Sequence, residues 1–219
     1  MNALDNNRQL TPAEQRRKEV FDAKCEEMYE KGYTKSDLTF SVTKANMYAV
    51  IIMLPFLIGF MVWFFVVNLN RLSFHYGLID FLILIVCMVL LTIIHELIHG
   101  ITWAAFANRH FKSIEFGVVW KMLTPYCTCS DTLTKLQYII GAAMPTIIVG
   151  IIPAIIAIYC NHFLLFLVFW ALIAGGGGDA LIILKILQHR SKEKECVYLD
   201  HPYECGVVVF EKDNWETYG

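Results

Sequence analysis

Four apolar stretches, each about as long as a lipid bilayer is thick, limit what this chain can fold into. They run over 47–68, 78–107, 138–160 and 163–187. A helix needs about 20 apolar residues to cross a hydrocarbon core of about 30 Å. Lipid offers the backbone no water to bond, so such segments cross as helices whose hydrogen bonds are internal. Pro55, Pro145, Pro153 and the run Gly175 to Gly178 interrupt them, which membrane helices tolerate when neighbours satisfy the freed groups. Only 17% of the 219 residues are charged, below the quarter usual in soluble domains. A formal charge of -2 gives no reason to expect nucleic acid as a partner. The expected class is an all-α membrane protein of four transmembrane helices, with a polar N-terminal helix and short cytoplasmic β-like segments.

Three parts follow from this: a cytoplasmic N-terminal segment over 1–45, a membrane core over 46–188 and a cytoplasmic tail over 189–219. Residues 1–46 hold no apolar h-region behind a basic start, so the first span is expected to act as an uncleaved anchor. Thr11-Pro12-Ala13-Glu14 has the form of a helix start, with a Thr cap, Pro in the first position and Glu in the third. Gly32 is a plausible stop, which gives a surface helix over 12–31. Residues 112–123 alternate partially and are β-branched or aromatic, as strands are. Residues 197–210 read as extended, with a turn near His201-Pro202.

Lysine and arginine set the orientation. Arg8, Arg16, Arg17, Lys18, Lys24, Lys31, Lys35 and Lys44 precede the first span. Arg109, Lys112, Lys121 and Lys135 lie between the second and third, and Lys185, Arg190, Lys192, Lys194 and Lys212 at the C-terminal end. The first outer loop has only Arg71 and the last connection none. Both termini and the middle loop are therefore expected on the cytoplasmic side of a cell membrane. Seven cysteines, odd in number and partly within apolar segments, imply no disulfide framework.

The second span contains His95-Glu96-Leu97-Ile98-His99. Residues four apart share a helix face, so the two imidazoles can bind one zinc ion. Glu96 can reach a water there without being a ligand, which is the H-E-x-x-H arrangement of metallopeptidases. Ionisable groups at the centre of a membrane helix cost roughly 2.5–3.5 kcal/mol each, and three within five residues are difficult to account for as packing. The plainer alternative is a polar patch binding a neighbouring helix, or a histidine pair in a wet cavity. Catalytic zinc takes three protein ligands and keeps a fourth position for water. Asp179 is the one acidic residue of the fourth span. At a rise of about 1.5 Å per residue, His95 lies about 25 Å from the start of its span and Asp179 about 24 Å from the start of its own. Both spans run from outside to inside, so the depths agree to within a helical turn. A helix cap or a water-bridging carboxylate is the alternative role for Asp179.

With these residues the chain resembles a bacterial membrane family described as "putative zincin peptidases", itself similar to the site-2 intramembrane proteases. The resemblance covers roughly 39–209. It is carried by His95 to Gly100, by Pro125-Tyr126-Cys127, by Pro145, by Gly177-Gly178-Asp179, and by Asp200-His201-Pro202 with Gly206. It implies a zinc cofactor held by His95, His99 and Asp179, with Glu96 catalytic. It also implies cleavage of a transmembrane or membrane-associated protein within or next to the bilayer. One position departs from the pattern. Site-2 proteases often carry Gly-Pro-x-x-Asn after the metal helix, whereas here Ala143-Met144-Pro145 is followed by Ile148 where the Asn would stand. Thr146 is the nearest polar substitute. The rival functions are a non-catalytic zinc-binding membrane scaffold or regulator of the same fold, and a metal transporter, for which no ion path is evident.

Weaker signals remain. Cys127 and Cys129 are closer than the C-x₂₋₄-C of structural zinc and lack a second pair, so they read as free thiols. His110 reads as an interfacial basic residue, or else as a substrate-orienting group. Tyr126 is a candidate hydrogen-bond donor to a tetrahedral intermediate. Trp103, Trp120 and Trp63-Phe64-Phe65 fit interfacial belts and lipid contact. Residues 112–123 could pair with an unwound substrate by strand addition, or form an ordinary hairpin.

Overall fold

The computed structural model of the protein describes residues 10–72, 75–119, 124–191 and 195–212. Helix α1 (Pro12–Glu30) starts as its sequence dictates. Thr11 and Glu14 form a reciprocal capping box with Pro12 in the first turn. Strand β1 (Thr34–Asp37) follows, then two long helices, α2 (Val42–Asn68) and α3 (Leu78–Phe106). Strands β2 (Ile114–Val119) and β3 (Thr124–Cys129) pair as an antiparallel hairpin. A short strand β4 (Leu133–Thr134) leads into α4 (Lys135–Pro145), a π-helical turn (Thr146–Ile151) and α5 (Ile152–Tyr159). These last three run on as a single apolar rod, Lys135–Tyr159. Helices α6 (Phe163–Gly175) and α7 (Gly177–Gln188) are bent by 40° at Gly176. Strands β5 (Glu195–Asp200) and β6 (Val207–Lys212) complete the fold.

Among the described residues, three helices are long and apolar enough to cross a membrane, and the bent pair makes a fourth if it counts as one span. Their outward faces carry large apolar side chains, among them Val50, Phe56, Ile83, Val89 and Ile156, each more than half exposed. Apolar surface on this scale is not sustained against water and fits lipid contact. Asn68, buried inside the bundle, is satisfied: its Nδ2 donates to Phe64 O and Ile158 O, each at 2.9 Å. The aromatic run divides between the two environments. Phe64 is fully buried and stacks on Phe166, while Phe65 is exposed. Trp120 lies outside the described residues.

The strands exceed the all-α expectation and form two antiparallel sheets, of which the larger has the order β1-β6-β5-β4. It joins strands from the N-terminal segment, the middle loop and the C-terminal tail, so these three lie on one side of any membrane the helices cross. Strand β6 explains why its Val-Val-Val-Phe run does not alternate with polar residues. Val208 and Phe210 pack with Phe21, Cys25 and Met28 of α1. Val207 and Val209 face the other way, against Trp103, Tyr138 and Ile186 at the ends of the membrane helices. A strand covered on both faces is apolar throughout.

Candidate metal centre

Helix α3 places His95 and His99 one turn apart, both buried, with ring centroids 5.0 Å apart. The break at Gly176 starts a new helix inside the bundle, and Asp179 occupies its first turn. A carboxylate there is favoured by the positive end of the helix dipole. Gly176 is required at the break, because a Cβ would come within 2.1 Å of Thr146 Oγ1. Asp179 Oδ2 lies 3.3 Å from His95 Nε2 and 3.4 Å from His99 Nε2. One ligand atom from each residue falls within 4.8 Å of the others.

The surroundings aim these atoms. His99 Nδ1 is 2.9 Å from Gly141 O. A carbonyl can only accept, so Nδ1 carries the hydrogen and Nε2 presents its lone pair to the centre. The His99 ring is stacked on Trp103, with centroids 4.9 Å apart and planes 18° apart, and Trp103 Nε1 donates to Tyr138 O at 3.3 Å. Trp103 is thus a buried support of the site and not the interfacial anchor its position suggested. Gly141 admits the indole, since a Cβ there would stand 2.0 Å from Trp103 Nε1. Two nitrogens and a carboxylate oxygen converging this closely are the His₂-carboxylate donor set that suits zinc. The fit rests on that donor set and on the buried lone pairs directed at one point.

Glu96 borders the same open cleft of about 570 Å³ as His95, His99 and Asp179. Its carboxylate accepts the backbone N–H of Cys127, which holds it to β3. Of the 112–123 segment only Val119 borders the cleft among the described residues; β3 lines it from Thr124 to Thr128. The N–H groups of Cys127 and Cys129 on the outer edge of β3 are taken by Glu96 and Asp200, and Pro125 has none. The hairpin therefore serves first to position these two carboxyl groups.

Asp200 was legible only as part of a motif, yet it lines the cleft. Tyr138 OH donates to its Oδ1, and Cys129 N–H to its Oδ2 at 2.7 Å. Burial raises its pKa from 3.8 to about 6, against those two hydrogen bonds, which favour the charged form. A carboxyl with a raised folded pKa binds protons more tightly folded than unfolded. Its contribution to stability is complete below 3.8 and is lost as pH rises through about 6. Metal-free wild-type protein is expected to lose on the order of 2–3 kcal/mol of stability from this group between about pH 4 and about pH 7. Asp200→Asn should lack that component. Thermal unfolding across this range tests it, and equal pH slopes in the two proteins would refute it.

The other candidates are placed elsewhere. His110 has φ 51 and bonds Ala104 O through Nδ1 at 3.0 Å, at the end of α3. Tyr126 reaches the cleft, but its hydroxyl accepts from Arg17 Nη1, and Arg17 also lies 4.8 Å over its ring. Arg17 thereby ties Tyr126 to α1, and the hydroxyl keeps its own hydrogen to donate. Thr146 Oγ1 is buried without a hydrogen-bond partner among the described residues. Cys127 and Cys129 are free thiols and join no metal-ligand group among the described residues. Burial pushes the Cys129 thiol up to about 12 and raises that of Cys127 as well.

No curated protein and no solved structure matches the chain. Residues 88–194, which include His95, Glu96, His99 and Asp179, match the sequence family described as "Putative zincin peptidase".

Proposed function

We propose that this chain is a membrane-embedded zinc metallopeptidase that hydrolyses a peptide bond of a membrane or membrane-associated protein. The observation that carries the reading is the meeting of His95 Nε2, His99 Nε2 and Asp179 Oδ2, from separate apolar helices, with Glu96 in the same open cleft. The family match supports it.

His95, His99 and Asp179 would hold the zinc, which when bound would acidify water and polarise the scissile carbonyl. Glu96 takes a proton from the attacking water and returns it to the leaving amine. Its hydrogen bond from the Cys127 N–H keeps the carboxylate turned into the cleft. A helical substrate hides its carbonyls in its own hydrogen bonds, so it enters locally unwound. The helices cross the cell membrane, and the sheet that gathers both terminal segments and the middle loop lies on the cytoplasmic side, where lysine and arginine concentrate.

Zinc removal tests the proposal. The purified protein is reconstituted in liposomes with a membrane-protein fraction, and new N termini are identified by mass spectrometry. They should appear with the wild type, vanish after treatment with a zinc chelator and return when zinc is restored. Cleavage that persists without zinc, or the absence of any cleavage, would count against a metallopeptidase.

A further inference from the structure

A second group of metal-ligand side chains lies where the end of α7 meets the larger sheet. His189, the residue that ends α7, Cys196 of β5 and Glu211 of β6 each offer a ligand atom, all within 4.8 Å of one another. All three are half-buried. Cys196 and Glu211 are cross-strand partners, so their side chains leave one face of the sheet together. Lys135 Nζ donates to His189 O at 3.2 Å and fixes the helix end above them.

His189 Nδ1 lies 3.3 Å from Tyr198 OH. With Nδ1 donating its hydrogen to that hydroxyl, Nε2 is bare and able to act as a ligand. Nε2 then stands 3.7 Å from Glu211 Oε1, beyond hydrogen-bond distance and with an acceptor on each side. Bonds of about 2.0–2.3 Å to a tetrahedral zinc put neighbouring ligand atoms about 3.3–3.6 Å apart. The gap suits an ion between them.

We propose that His189, Cys196 and Glu211 form a second zinc site, separate from the cleft, with water in the fourth position. The mixed nitrogen, sulfur and oxygen set selects a borderline-soft divalent cation over magnesium or calcium. A thiolate and a carboxylate cancel its charge. The site clamps the end of α7 to β5 and β6, and α7 carries Asp179 in its first turn, about 15 Å away along the helix. Zinc at the clamp thereby ties the membrane helix of the cleft to the sheet outside it. A simple His189–Glu211 ion pair would leave Cys196 without a metal.

Cobalt substitution separates the two sites, because the donor set in the cleft contains no sulfur. The purified full-length chain in detergent is stripped of metal and titrated with Co²⁺. A near-ultraviolet thiolate-to-cobalt charge-transfer band should grow and saturate by the time both groups are filled, at about two cobalt per chain. The band should survive in His95→Ala and in a Cys127→Ser/Cys129→Ser variant, weaken ~10-fold or more in affinity in Glu211→Gln, and disappear in Cys196→Ser. If Cys196→Ser does not fold, alkylation of the wild type serves instead: zinc should protect Cys196 from iodoacetamide. The absence of the band from the wild type, its persistence in folded Cys196→Ser, or alkylation of Cys196 unaffected by zinc would each overturn the proposal.

Discussion

Glu96→Gln is expected to lower peptide-bond cleavage by about 10²–10⁴-fold, the range that a positioned general base contributes, while the protein keeps its zinc. The substitution alters little else. Glutamine has the shape of glutamate, and its amide oxygen can still accept the Cys127 N–H that anchors Glu96 to β3. Glu96 is absent from the group of converging ligand atoms, so zinc affinity should hold. What disappears is a carboxylate able to take a proton from water. Cleavage is measured by the appearance of new N termini and zinc by elemental analysis of the same preparation. This pairing discriminates between the two functions open to the fold. A non-catalytic scaffold or regulator would tolerate Gln, since its metal site and shape are intact. Wild-type cleavage by Glu96→Gln would remove Glu96 from the mechanism, and loss of zinc alongside activity would give it a ligand's role.

The helical part of the fold was legible because the bilayer imposes a length. Each of the four apolar stretches reappears in the structure, as α2, α3, the rod Lys135–Tyr159 and the bent pair α6–α7. The start of α1 was legible because a capping box is a local contact between residues three apart. The sheets were legible only in part. Strand β1, Thr-Lys-Ser-Asp, has no alternation and no β-branched run, and it exists because β6 offers it an edge to pair with. Its partner is some 170 residues away, and no local pattern encodes that.

A similar division runs through the site. The proximity of His95 to His99 is written in a spacing of four, and that of Asp179 follows from depth once the spans are known. Trp103 is different. As an aromatic residue near a span end it looks like many interfacial anchors, and only Gly141, which comes from another helix, gives it room beneath His99. Asp200 was ambiguous for the same reason, because its partners Tyr138 and Cys129 lie 62 and 71 residues away. The tie of Tyr126 to α1 was not legible, because Arg17, which donates to its hydroxyl, sits in the distant N-terminal helix. Local chemistry points to candidate ligands, whereas support for them comes from contacts between distant segments.

Asp179→Ala is expected to lower zinc affinity by more than the ~10–100-fold that loss of a residue hydrogen-bonded to a ligand costs. Its carboxylate is the one anionic member of the convergent group in the cleft. Without it two neutral imidazoles would have to hold a doubly charged ion in apolar surroundings. The loss of a carboxylate from the first turn of α7 should itself cost only about 0.3–1 kcal/mol. The variant should therefore stay folded, with a thermal unfolding transition near that of the metal-free wild type. Asp179→Asn is a graded control: the amide oxygen remains a possible ligand, but the charge is gone, so its affinity should fall between wild type and Ala. Zinc content after equilibration with a metal buffer reads the series. Any zinc at the second group, around Cys196, is subtracted by carrying the series in a Cys196→Ser background. Full occupancy of the cleft in Asp179→Ala would mean that another residue completes the site and that the bend at Gly176 brings α7 to the histidines for some other reason.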